Sequence, residues 1–383
     1  MREVVIVEGI RTPVGRRNGV LKDIRPDDLA AEVLRELVNK TGIEPVLIDD
    51  VILGCVSQSG EQAGDIARVS ALIAGYPIEV PGTTIDRQCG SSQQAVHFAA
   101  QAILAGDMDV VVAGGVESMT RVPIASNYQG AGLSEKLKSK YEMIHQGISA
   151  ERIAEKYGIT REECDRFALE SHQKALNAQA EGYFKREIIH IKVTGEDGND
   201  FVVAQDSGPR KGTSLAALAG LKSAFKEGGI ISAGNSSQIS DGAAALLLME
   251  RSKAEELGLK PRFRVHTRVV VGSDPTLMLT GPIPATKKAL EKSGLTIDEI
   301  DIFEVNEAFA PVALAWLKET GAAPEKLNPN GGAIALGHPL GGSGARLMVT
   351  MMHELERTGG RYGLQTMCEG HGMANATILE RLG

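Results

Sequence analysis

Short β-branched runs alternate along the chain with stretches whose apolar positions recur every three to four residues. "VVIV" (4–7), "DDVILG" (49–54) and "DVVVAGG" (109–115) read as strands, with helices over 27–40, 64–75 and 90–105 between them. That alternation predicts parallel strands joined by crossover helices. "AAALLLME" (243–250) is apolar throughout and fits either a buried strand or a buried helix. From about residue 262 the theme restarts with "FRVHTRVVVG", a helix over 284–293, "DIFEV" (301–305), helices over 307–319 and 343–358, and then "YGLQTMCEG".

The restart reads as a duplicated core rather than a solenoid. Each half contains a Gly/Ser-rich turn opening a helix, "QCGSSQQAVHFAAQAI" and "PLGGSGARLMVTMMHEL". Each of these helices leads to a strand ending in glycines, "VVVAGGVES" and "LQTMCEGHG". The segment 119–240 differs in texture: it is polar and helical, with lysines at 136, 138 and 140 and a turn at "GEDGND". It reads as an inserted lid or binding segment, or as an oligomer contact. The expected divisions are 1–118 with 241–260, the insertion 119–240, and 261–383.

Composition narrows the class of function. At 383 residues, with 43% hydrophobic and 23% charged positions, the chain is an ordinary globular α/β protein of two or three packed units. Aromatic residues make up only 4%, and 41 basic against 49 acidic residues leave a net charge of −8. Neither feature suits a nucleic-acid surface, and an anionic substrate needs a local basic pocket. The four cysteines, Cys55, Cys89, Cys164 and Cys368, are widely spaced, which fits a reducing compartment and a cytoplasmic protein. "MRE" passes straight into "VVIVEGI", so no signal peptide is expected, and no run is long enough to span a membrane.

The candidate chemistry lies at four places. Cys89 precedes a predicted helix, where backbone amides and the helix dipole lower a thiol pKa. A free cysteine also serves as a small buried hydrophobe, so this residue alone leaves both readings open. In "NGGAIALGHPLGGSGAR", His338 stands between Gly337 and Pro339, which displays the ring on a loop where it could take the Cys89 proton. In "TMCEGHG", Cys368 ends a strand, and Gly370 and Gly372 leave amides open for an oxyanion. In "EVNEAFA", Asn306 is a helix N-cap or the holder of a water or carbonyl. The long spacings argue against zinc, and no metal is expected.

Together these segments resemble the thiolases. The resemblance spans essentially the whole chain: the Cys89 segment, "GGVESM", "SAERIAEKYGITREECDRFALESHQKA", "SAGNSSQISDGAAALLL", "TGPIPA", "NEAF", "GHP" and the terminal "CEG". It implies an α/β fold of two similar halves, each with a five-stranded mixed sheet, in a layered αβαβα arrangement with an inserted loop domain covering coenzyme A. It implies a homodimer or homotetramer, no permanently bound cofactor, and coenzyme A and acyl-CoA as substrates. By the same resemblance Cys89 is the nucleophile, His338 its base and Cys368 the acid for the departing acetyl-CoA carbanion. Asn306 with His338 would serve one oxyanion, and the amides of Cys89 and Gly370 the other. Arg210 is implied near the phosphates, Phe225 at the adenine and Ser237 near the pantetheine. Arg210 in "SGPRKG" also reads as a solvated loop charge.

Departures from the family pattern bear on the substrate. Asp86 stands where members often have Asn, and an ion pair with Arg87 or Arg68 is the expected reason. His371 replaces the middle glycine of the terminal motif. Gln146 takes the place of a methionine that lines the acyl pocket of short-chain members, Gln238 replaces a small residue, and Met278 is kept but followed by Leu279. These changes point to a larger or branched acyl group.

Overall fold

The strands with no polar face set the architecture. Val110–Ser118 and Ser240–Glu250 are buried at every position, and such strands need cover on both sides. This computed structural model describes residues 2–195 and 197–383; Met1 and Glu196, the latter within the expected "GEDGND" turn, lie outside the described residues.

The first half has β1 (Val4–Arg11), β2 (Asp50–Gly54), β3 (Gly82–Ile85), β4 (Val110–Ser118) and β5 (Ser240–Glu250) in the order β1-β5-β4-β2-β3. The second has β6 (Phe263–Gly272), β7 (Ile302–Val305), β8 (Tyr362–Glu369) and β9 (Met373–Arg381) in the order β6-β9-β8-β7. The pairing directions repeat. β1–β5 and β5–β4 are antiparallel while β4–β2 and β2–β3 are parallel. β6–β9 and β9–β8 are likewise antiparallel, and β8–β7 is parallel. The duplication is therefore one of topology.

Two details differ from the expected picture. The halves join into one sheet, because β1 pairs with β6 at Val5↔Arg264 and Ile6↔Phe263. The fifth strand of the second half shrinks to a single parallel bridge, Phe303↔Leu327. There the Asn328 side chain continues the ladder, accepting from Val305 N at 2.9 Å and donating to Val305 O at 2.9 Å.

The helices make the layers. α1 (Pro26–Thr41) and α2 (Ile66–Ile73) cover one face of the first half, meeting Val5, Val110, Val112 and Leu247. α3 (Ser91–Ala105) lies on the other face with Ile6, Val111 and Leu246. The segment 119–240 carries α4 (Gln146–Tyr157) and α5 (Arg161–Glu181), whose shared turn is fixed by a capping box between Thr160 and Glu163. α6 (Pro282–Ser293) and α7 (Ala310–Thr320) cover the outer face of the second half with Trp316 in its core. α8 (Leu340–Thr358) joins α3 in the central layer, where both meet Phe263, Ile302 and Leu379 of the second half. The period-2 alternation of Val110 and Val112 against Val111 and Ala113 divides the two cores.

The run at 243–250 is a strand, since its pairing with both β1 and β4 satisfies the backbone on each side. Helix 307–319 starts only at Ala310, with Phe309 in the cap position, so Asn306 is not an N-cap. β3 and β9 carry no clean alternation and escape a reading of the pattern. The segment 119–240 is tied down by a buried cluster in which Arg11 of β1 donates to Glu187 at 2.7 Å and to Asp206 at 2.7 and 2.9 Å.

Candidate active site

α3 and α8 point their N-terminal ends at one place between the halves. Close approach there depends on glycine: a methyl on Gly115 would overlap Gly341 O and stand 2.7 Å from Gly54 O. The turn before α3 carries Cys89. Gly90 N donates to Arg87 O at 3.1 Å and Ser91 N to Gln88 O at 3.1 Å, and Gln88 takes a φ of 47°, in the left-handed region. Such a conformation in a non-glycine residue costs of order 1 kcal/mol or more, which the surrounding packing must offset.

Cys89 packs against Leu340 and Leu347 of α8 and against Met367, the neighbour of Cys368 on β8. Cys368 belongs to the core shared by the segment 119–240 and the second half, beside Met278, Leu279, Phe309 and Ile334. Both thiols are buried. Burial pushes the Cys89 thiol well up, and Cys368 and Glu369 add to the shift. Burial likewise pushes Cys368 up to about 12. This reverses the expected lowering at a helix mouth, because desolvation outweighs the dipole. In the resting site both cysteines are neutral thiols.

The histidine is buried rather than displayed. His338 follows Gly337, whose φ of 104° and contact with Ser240 Oγ leave no room for a side chain. His338 N donates to Gln238 O at 3.1 Å. Its Nδ1 lies 2.6 Å from Ser343 Oγ, and that hydroxyl donates to Pro339 O at 2.7 Å. Since the Ser343 proton is spent on Pro339, Nδ1 carries the imidazole proton and Nε2 keeps its lone pair. Asn306 Nδ2 faces that lone pair at 3.3 Å. Burial first, then Arg346, hold His338 down to about 3, so the ring is a neutral base. Asn306 N bonds Thr366 O at 3.2 Å, which sets it beside β8 just before Cys368, and its Oδ1 is buried without a partner.

Among the described residues no backbone carbonyl accepts from the N–H of Cys89 or Gly370, and the Cys89 N–H lies toward its own Sγ. A methyl on Gly370 would stand 2.8 Å from Gln88 Oε1, so the two turns face each other. Glu117, a buried carboxylate that accepts from Val56 N, Ser57 N, Gly341 N and Gln62 Nε2, fixes the loop after β2 to the start of α8. Neither Glu117 nor Ser343 stands out in the sequence. The signals were local, a glutamate in "GGVES" and a serine five residues after the histidine.

The outlying candidates fall in several places. Ser237 N bonds Ala308 O at 3.0 Å and so crosses beside the Asn306 turn. Arg210 is exposed, its backbone N donates to His172 Nδ1 at 3.2 Å, and its guanidinium pairs with no carboxylate among the described residues. Phe225 stacks on His145 at 5.1 Å and meets Phe309 edge-on at 5.8 Å. Gln146 opens α4, and Met278 is buried in the Cys368 core. Gln238 is committed to the scaffold, donating to Gly208 O, Ile334 O and Ala335 O at 3.1, 2.9 and 3.0 Å.

The expected ion pair at Asp86 does not form. Asp86 accepts from Gln88 N at 2.7 Å, an Asx-type brace for the Cys89 turn. Arg68 instead donates to Ile78 O and Val80 O, and Arg87 rests on Met373 Sδ at 3.8 Å. His371 occupies a left-handed φ of 64° opposite, with Nε2 at 3.4 Å from Tyr128 Oη; burial raises the Asp86 carboxyl, and the Gln88 amide offsets only part of that rise. No group of three or more His, Cys, Asp or Glu side chains among the described residues is arranged to hold a metal ion. No helix among them is long and apolar enough to cross a membrane.

Comparison with known proteins follows the same lines. Residues 4–252 match the family model for the thiolase N-terminal domain, and residues 259–381 that for the thiolase C-terminal domain. A steroid 3-ketoacyl-CoA thiolase of Mycobacterium tuberculosis is 52% identical, over 100% of this chain and 95% of its own length. A 3-ketoacyl-CoA thiolase of Aliivibrio fischeri is 46% identical over the whole of both chains. The crystal structure of the Bacillus anthracis acetyl-CoA acetyltransferase superposes with a TM-score of 0.92 at 42% identity, covering 100% of this chain and 99% of that one. With a duplicated sheet whose halves meet at two helix mouths, and with both domain models matched in order, the chain belongs to the thiolase family.

Proposed function

We propose that the chain cleaves 3-ketoacyl-CoA with coenzyme A to acetyl-CoA and a shortened acyl-CoA, and runs the reverse condensation, through an acyl-Cys89 intermediate. The observation that carries this is the meeting of Cys89 with the α8 mouth and the Cys368 strand, beside a neutral His338 whose Nε2 lone pair is free of a proton. His338 Nε2 takes the Cys89 proton, and the thiolate attacks the 3-keto carbon. The carbon–carbon bond breaks, the Cys368 thiol protonates the acetyl-CoA carbanion, and the acyl group stays on Cys89. Coenzyme A gives its thiol proton to the Cys368 thiolate and attacks the acyl-thioester. Cys89 then leaves and recovers its proton from His338.

Asn306 and His338 serve the enolate oxyanion, and the amides of Cys89 and Gly370, without backbone acceptors among the described residues, serve the tetrahedral intermediates. The insertion, 119–240, covers coenzyme A, with Arg210 toward the phosphates, Phe225 toward the adenine and Ser237 toward the pantetheine. The exposed, unpaired state of Arg210 supports its part. The same proposal includes a cytoplasmic homodimer or homotetramer, which light scattering tests.

The acyl group is larger than acetoacetyl. The departures at Gln146, Leu279 and His371 support this reading, and His371 also lines a cavity of about 290 Å³ with Leu137, Tyr141, Met143, Ser273 and Pro275. Comparing kcat/KM for acetoacetyl-CoA with longer and branched 3-ketoacyl-CoAs tests it. The reading expects a preference for the bulkier substrates, and a strong preference for the four-carbon substrate overturns it.

A further inference from the structure

Glu369 follows Cys368 at the end of β8 and takes no part in the steps above. It is fully buried, and neither carboxyl oxygen has a hydrogen-bond partner among the described residues. Its side chain lies against the turn that carries the nucleophile: a methyl on Gly90 would overlap Glu369 Oε1 and stand 2.7 Å from Asn375 Nδ2. Asn375, on the adjacent strand β9, donates to Gly90 O at 3.0 Å, so the carboxyl and the amide together bracket the residue after Cys89.

The charged groups facing this carboxyl are few. From the nucleophile turn, Arg87 favours its ionised form and Asp86 opposes it. On its own strand stands Cys368, and across the gap Cys89, whose thiol also feels Glu117. Arg87 Nε is buried without a partner, so it does not form the short ion pair that would compensate a buried carboxylate. Desolvation dominates and lifts Glu369 to about 8. A negative charge at this position raises both thiols further.

We infer that Glu369 is a positioning residue for Cys89: uncharged, its carboxyl packs the Gly90 turn and leaves the thiolate unopposed, and charged, it holds that thiolate back. The inference rests on Cys89 being the nucleophile. Below about pH 8 the carboxyl is neutral; above it, the new charge works against thiolate formation in the range where an isolated thiol gains it.

The test is the rate of Cys89 alkylation by iodoacetamide in the full chain, read by site-resolved peptide mass from about pH 6 to 10. In the unaltered protein the rise of rate with pH flattens near pH 8 before resuming. Glu369→Gln keeps the shape but cannot ionise, and its profile follows a single thiol titration with a midpoint about one pH unit lower, a roughly tenfold faster alkylation above pH 8. Glu369→Leu gives the same loss of the flattening should the glutamine variant fail to fold. Superimposable profiles, or no inflection in the unaltered protein, overturn the inference. The nucleophile reading is checked separately: alkylation confined to Cys89 that leaves acyl transfer intact overturns that reading, whatever the profile.

Discussion

The two central helices occupy the same place in the two halves and do opposite work. α3 follows β3 in the first half, and its mouth presents Cys89 on a turn strained at Gln88. α8 follows the Leu327 bridge in the second half, and its mouth presents His338 after a left-handed Gly337. α8 is buried from Gly341 to Leu355 and α3 buries ten of its fifteen residues, and both contribute to one shared core that fixes their positions. What differs is the turn before each helix and the residue that turn aims at the gap. A duplicated scaffold therefore supplies two convergent helix mouths, and divergence in a few loop residues separates the proposed nucleophile from its proposed base.

The largest effect expected from breaking this comparison is at the first mouth. Cys89→Ala lowers acyl transfer by about 10⁴-fold or more, because no other group in the site becomes the acyl carrier. Cys368→Ala is weaker and different in kind: it lowers turnover by roughly 10²–10⁴-fold and abolishes proton exchange into acetyl-CoA, while acylation of Cys89 by acetyl-CoA persists. Steady-state kinetics and exchange from deuterated water separate the two variants. At the second mouth, Ser343→Ala removes the acceptor that fixes the His338 proton on Nδ1. A loss of about tenfold in kcat with little change in KM is expected, since binding surfaces stay intact.

Much of this site was legible in the sequence because each part of it is local. A cysteine before a small-residue helix, a histidine among glycines and a cysteine at a strand end are each visible in a window of a few residues. What escaped the pattern depends on distant partners. Strands β3 and β9 form because neighbours pair with them, and the joint of the halves rests on Val5 and Ile6 meeting β6. The raised thiols, the partner of His338 and the isolation of Glu369 all depend on burial that only the assembled layers create.

The two halves also differ at their edges, where β3 is a paired strand and its counterpart is a bridge completed by Asn328. Asn328→Ala strands the Val305 backbone groups and a Glu307 oxygen. It should cost about 2–4 kcal/mol in urea unfolding, against less than 1 kcal/mol for Thr83→Ala on exposed β3. A different, pH-graded effect comes from histidines. His97 in α3, His353 in α8 and His338 are each held down to about 3 by burial. The unfolded chain takes up protons below about pH 6.5 that the folded chain refuses, so stability present above that pH is lost as pH falls toward 3. Each histidine steepens the loss of stability with acid over that window, which urea midpoints at stepped pH measure.

The central claim is that the first mouth carries the acyl group and the second carries none of it. Incubating the protein with a 3-ketoacyl-CoA in the absence of coenzyme A, quenching in acid and mapping the modified peptide tests it directly. The account predicts one acyl group per chain, on Cys89, discharged when coenzyme A is added before the quench. An acyl group on Cys368, or a protein that turns over without ever becoming acylated, would contradict it.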